Sequence, residues 1–82
     1  MVTADEIREF VFVAIIKPAR RRGEKSITIR AGDIHKAMGL TDRMPQVVSS
    51  IEADKFQKFA NVTLVSRHGP HASSTVTFCF NI

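Results

Sequence analysis

RAGDIHKAMGLTDRMPQVVSSIEAD, residues 30–54, holds two short helical patterns on either side of Gly39-Leu40. In the first, Ile34, Ala37 and Met38 fall at i, i+3 and i+4, the spacing of one buried helix face. Gly39 stops it, because only glycine takes the left-handed conformation of a helix end without a Cβ penalty. Thr41 and Asp42 are turn and capping residues. Pro45 suits the first turn of the next helix, where its missing N–H would have no partner in any case. That helix carries Val47, Val48 and Ile51 on one face and leaves Gln46, Ser49, Ser50 and Ala53 on others. The stretch therefore predicts a helix, a short turn and a second helix with a polar outer face.

Upstream, Thr3-Ala4-Asp5-Glu6 has the form of a capping box, in which the Thr3 hydroxyl accepts from the Glu6 N–H and the Glu6 carboxylate from the Thr3 N–H. Ile7, Phe10, Val11, Ala14 and Ile15 follow at helical spacing and predict a core-facing stripe. Phe10-Val11-Phe12-Val13 is also rich in strand formers, but the cap and the length of the pattern favour helix. Pro18 disfavours the α conformation in the residue before it, so the helix is expected to weaken by Lys17. Phe12, Val13 and Ile16 lie beyond the first stripe. Either the helix is buried on most sides, or these three residues form a homodimer interface. Ala19 to Lys25 is a basic connector, and Ser26-Ile27-Thr28-Ile29-Arg30 alternates with the period of a half-buried strand, Ile27 and Ile29 inward. Gly32 allows a tight strand-to-helix turn, and Asp33 is expected to cap or start the helix after it.

Downstream, the second helix of the opening stretch either continues or breaks and restarts through Lys55, Phe56 and Phe59, with Asn61 as its terminator. Residues 61–82 form a β-hairpin pattern. Val62 and Leu64 alternate with Thr63 and Val65, and Val76, Phe78, Phe80 and Ile82 alternate with Thr75, Thr77, Cys79 and Asn81. His68-Gly69-Pro70-His71-Ala72-Ser73 between them is a turn-rich loop.

Composition places these elements in one domain spanning residues 1–82. A chain of this size buries only somewhat more than ~60% of its unfolded surface. Hydrophobic residues make up 44% and charged residues 24% of the chain, which suits a folded core and argues against disorder. The net charge is +4 and the pI about 9.9, permitting a polyanionic partner without requiring one. Much of the basic excess is the run Arg20-Arg21-Arg22. The single cysteine, Cys79, allows no internal disulfide, as expected in a reducing compartment. Asp5, Glu6 and Glu9 sit where a secretory n-region would be basic, and the apolar run Phe10 to Ile16 is too short to span a bilayer, so a cytoplasmic location without membrane contact is expected.

The order helix, strand, helix, helix, strand, strand defines an α+β class, with three helices forming the core beside a small antiparallel sheet. It resembles the winged helix-turn-helix family, in which a terminal β-hairpin forms a wing. Pro18-Ala19-Arg20, Thr28-Ile29-Arg30-Ala31-Gly32-Asp33-Ile34-His35, Met38-Gly39-Leu40 and the helix-opening Pro45 resemble short prokaryotic members of that family. The resemblance implies binding of double-stranded DNA, with the third helix in the major groove and the wing on the backbone or minor groove, in transcriptional regulation or a related DNA transaction. On this chain it would place Arg43, Gln46, Ser49 and Ser50 against the duplex, Arg43 on phosphate or guanine and Gln46 on adenine. Arg67, His68 and His71 would stand on the wing, Lys36 would touch the backbone, and Arg20, Arg21 and Arg22 would add a basic arm. Winged helices also serve as protein-interaction modules, and Glu52 and Asp54 put negative charge at the far end of the reading helix.

Other chemistry has little support. His68 and His71 are two imidazoles where a zinc site needs three or four ligands, and no spacing brings His35 or Asp33 to them. Cys79 has no neighbouring base and reads as a small apolar strand residue. Gly32 before a helix, with no Lys-Ser/Thr after it, is not a phosphate loop. No enzyme class, metal or cofactor is expected.

Overall fold

A computed structural model describes residues 2–70 and 73–82. The elements are α1 (Ala4–Val11), a π-helical turn (Phe12–Ile16), α2 (Lys17–Arg21), β1 (Ser26–Arg30), α3 (Ala31–Ala37), α4 (Met44–Glu52), α5 (Asp54–Ala60), β2 (Thr63–His68) and β3 (Thr77–Asn81). The three strands form one antiparallel sheet in the order β1-β3-β2. The chain is thus α+β, with helices packed on one face of a small sheet.

The capping box forms as its residues require: the Glu6 N–H donates to the Thr3 Oγ1 at 3.1 Å and the Thr3 N–H to the Glu6 Oε1 at 3.2 Å. Beyond Val11 the helix departs from the expected pattern. Lys17 is helical at φ −60° and ψ −47°, and the helix runs on through Pro18 to Arg21. The Lys17 N–H reaches five residues back to the Phe12 carbonyl. Proline offers no N–H and its ring crowds the carbonyl four residues earlier, so a wider turn just before it lets the helix pass without breaking. The same turn rotates the apolar face. Ile7, Val11, Ile16 and Ala19 are fully buried, whereas Ala14 is exposed and Ile15 only partly covered. The expected stripe through Ala14 and Ile15 is corrected accordingly. Ile16 belongs to the core rather than to a dimer surface.

Between α3 and α4 the turn is built as its residues dictate. Gly39 takes φ +66°, Asp42 takes φ +53°, and Pro45 lies in the first turn of α4. α4 ends at Ala53, whose extended φ −70° and ψ 146° separate it from α5, so the helix breaks and restarts. Asn61 closes α5 in the left-handed conformation. The start of α3 is not capped by Asp33. Its first N–H groups are taken by the strand side: the Ala31 N–H donates to the Val76 carbonyl at 2.9 Å and the Gly32 N–H to that of Ser74 at 3.0 Å.

The core joins the helices to the inner sheet face. Ile29, Phe78 and Phe80 on the strands meet Val47 and Ile51 of α4 and Phe56 of α5, all buried in one cluster. The Phe56 and Phe80 rings stand edge to face at 5.3 Å between centroids, a favoured aromatic geometry. Cys79 lies between Phe78 and Phe80 on the opposite sheet face, as the alternation predicts, and is partly exposed. A bulge at Val65 shifts β2 by one residue, so Leu64 and Arg67 pair opposite Phe80 and Phe78 while Val65 stands 54% exposed.

Candidate nucleic-acid interface

The α3–turn–α4 unit is pinned at its corner by a histidine. The Arg43 N–H, at the start of α4, donates to the His35 Nε2 at 3.2 Å. A neutral His35 ring accepting there carries its proton on Nδ1. This bond fixes where α4 begins relative to α3 and leaves the Arg43 side chain exposed on the turn, its guanidinium 3.4 Å from the Asp42 carbonyl. Lys36, the residue after His35, is exposed and makes no ion pair among the described residues.

Along α4 the expected reading face is only partly available. Ser49 is exposed, its hydroxyl donating to the Gln46 carbonyl at 3.2 Å. Ser50 is 1% exposed, and its hydroxyl donates to the same carbonyl at 2.6 Å. A side chain buried against the core cannot reach a base edge, so Ser50 is removed from the DNA-facing set. Gln46 is half-buried and donates through Nε2 to the Val2 carbonyl at 3.0 Å, tying the N-terminal segment to α4. That bond engages one of the amide's two N–H groups.

The acidic end of α4 is balanced from the hairpin. The Arg67 Nε lies 2.6 Å from a Glu52 carboxylate oxygen, so the arginine expected on the wing bridges β2 to α4 instead. One consequence is that Glu52 does not face the solvent as an unopposed anion. His68 is exposed at the end of β2. His71 lies outside the described residues.

The basic arm divides. Arg20 donates through Nη2 to the carbonyls of Ala60 and Asn61, at 2.9 and 2.8 Å, and so caps the end of α5. That contact joins α2 to α5 and gives Arg20 a role within the fold. Arg22 pairs with Glu24 at 2.6 Å, and Arg21 is exposed without an ion pair among the described residues. Of the expected set, Lys36, Arg43 and Ser49 on the two-helix unit, His68 on the hairpin and Arg21 and Arg22 at the end of α2 are exposed, Arg22 within its pair to Glu24, and Gln46 is half-buried.

Two linking groups were not foreseen. Arg8 donates to the Ser50 carbonyl at 3.0 Å and to Asp5 at 2.9 Å, joining α1 to α4. Asp5 is also 3.3 Å from the Lys55 ammonium of α5. The hydrogen bond and charge of Lys55, followed by those of Arg8, hold the Asp5 carboxyl below its ordinary pKa. The Asp5–Arg8 pair has the i, i+3 spacing of neighbours on one helix face, but nothing in the sequence signals the contacts to Ser50 and Lys55, because they depend on how α1 crosses the other helices.

Among the described residues no group of three or more His, Cys, Asp or Glu side chains is arranged to hold a metal ion, and no helix is long and apolar enough to cross a membrane. No protein-family model, curated protein or solved structure matches the chain.

Proposed function

We propose that the chain is a winged helix-turn-helix domain that binds double-stranded DNA through α3, the turn and the start of α4, with the β2–β3 hairpin as its wing, in transcriptional regulation or a related DNA transaction. The observation that carries this reading is the corner of the two-helix unit. Arg43 and Lys36 are exposed there, and the bond to His35 holds the start of α4 in place. Lys36 and Arg21 are suited to phosphates, Arg43 to a phosphate or a guanine edge, and Ser49 and His68 to flanking contacts. The Glu52–Arg67 pair offsets one of the two acidic groups at the far end of α4, Asp54 remaining exposed.

Titration with duplex DNA at several salt concentrations tests it. Affinity should fall with salt at a log–log slope of roughly −0.9 per phosphate neutralised. Lys36→Ala and Arg43→Ala should each weaken binding and reduce the slope by about 1. Arg20→Ala, which removes only the helix cap, should lower stability by about 1–2 kcal/mol and leave the slope unchanged. Absence of binding at low salt overturns the reading.

A second reading, a protein-interaction module, is favoured by the half-exposed Phe59 and Val13 beside open grooves along α1. A copurifying protein whose footprint covers α4 would favour it over DNA.

A further inference from the structure

Residues 4–21 form one continuous helical rod whose outward stripe is sorted by charge. Glu6 and Glu9 are exposed at its start, Val13 and Ala14 in the middle, and Lys17 and Arg21 at its end. Val13 is 52% exposed, a large fraction for an apolar residue at the centre of a helix. It lines an open groove of about 450 Å³ with Glu6, Glu9, Phe10, Ala14 and Met38. Glu9 and Lys17 make no ion pair among the described residues, although the Lys17 ammonium lies 5.6 Å from the centre of the Phe12 ring.

We propose that this face binds a second copy of the chain, with the two rods antiparallel about a two-fold axis at Val13. Charge complementarity selects both the occupant and its direction. Glu9 lies four residues before Val13 and Lys17 four residues after it. An antiparallel pair therefore sets Glu9 of each copy against Lys17 of the other, twice, with the two Val13 side chains meeting between them. A parallel pair would put acid on acid and base on base. The interface is self-complementary, as a two-fold contact must be, and of the α3–turn–α4 unit it takes in only Met38 at the end of α3. It differs from a surface through Phe12, Val13 and Ile16: Ile16 is in the core, and Phe12 packs edge to face on Phe59 at 5.3 Å. A face one helix wide lies at the small end of stable interfaces, so the dimer dissociates on dilution.

Sedimentation equilibrium of the full chain across concentration and salt tests this. Wild type should be a monomer–dimer mixture that shifts to monomer as salt rises. Glu9→Lys and Lys17→Glu should each weaken the dimer about tenfold, because both symmetry-related pairs turn repulsive, and the double variant should restore it. Circular dichroism shows that each variant is folded. A chain monomeric at every concentration at low salt overturns the proposal and leaves the face to some other occupant. A dimer indifferent to the single changes, or one the double change fails to restore, overturns the antiparallel pairing. Neither result bears on duplex binding by Lys36 and Arg43, which is read separately.

Discussion

Single side chains in this domain are spent on joining elements more than the sequence suggests. Gln46, Ser50, Arg20 and Arg67 belong to residue types that contact DNA, yet each is hydrogen-bonded or ion-paired inside the chain. What separates them from Lys36 and Arg43 is the position of the neighbouring elements. Asp5 makes the same point with a measurable sign. Its pKa is depressed in the folded chain by Lys55 first and Arg8 second. A depressed carboxyl stabilises the fold at pH values above the ordinary aspartate range and loses that contribution as pH falls through its folded value. Asp5→Asn should therefore lower stability at pH 7 and make little difference at pH 2. Urea denaturation of both chains at the two pH values checks this, and a gap that persists undiminished in acid would refute it.

At the level of elements, the joint between the hairpin and α3 is a close fit. The Gly32 N–H bonds the Ser74 carbonyl, and a Cβ on Gly32 would lie 2.7 Å from that same oxygen. A backbone oxygen has no rotamer through which to retreat, so the hairpin or the helix start must move. Gly32→Ala should cost about 1–3 kcal/mol, read as a lower thermal midpoint, and NMR shifts should appear at Ser74 and Val76 as well as at the helix start. Unchanged stability would mean that this approach is looser than its geometry indicates. The glycine reads from sequence as part of a tight turn, but its partner 42 residues away is not in the local pattern. Sequence places the residue, and only the sheet order β1-β3-β2 explains it.

For the molecule as a whole, most elements are legible from local chemistry. Capping residues, Gly39, Asn61 and the alternation of residues 76–82 set the element order, and strand β1 falls where its alternation places it. The misses along the first helix share one cause. Period-based reading assumes an unbroken 3.6-residue helix, so it turns Ala14 inward and leaves Ile16 between core and dimer surface, whereas the five-residue wide turn buries Ile16, exposes Ala14 and leaves Ile15 partly covered against the core. The candidate DNA surface was legible as residue types but not as accessible groups, because accessibility is settled by contacts such as Gln46 to Val2 and Arg20 to Ala60. The charge sorting along residues 4–21 was visible in the sequence only as a cap and a basic run. It becomes a single surface once the helix is seen to continue past Pro18.

The wide turn at Phe12–Ile16 also marks where the gene can change length. It absorbs one residue more than a regular helix would, since Val11 and Ile16 are buried five positions apart. Excising the Ala14 codon would bring that spacing to four, aligning Ile7, Val11 and the residues now numbered 16 and 19 on one ordinary helical stripe. With Pro18→Ala made alongside, so that no ring crowds the tightened turn, the shortened chain should still fold cooperatively by circular dichroism. Excising the Ser49 codon should not be tolerated, because α4 is regular and the loss swings Ile51 off the face it shares with Val48. If both deletions prove equally harmful, the turn is not an inserted residue in disguise.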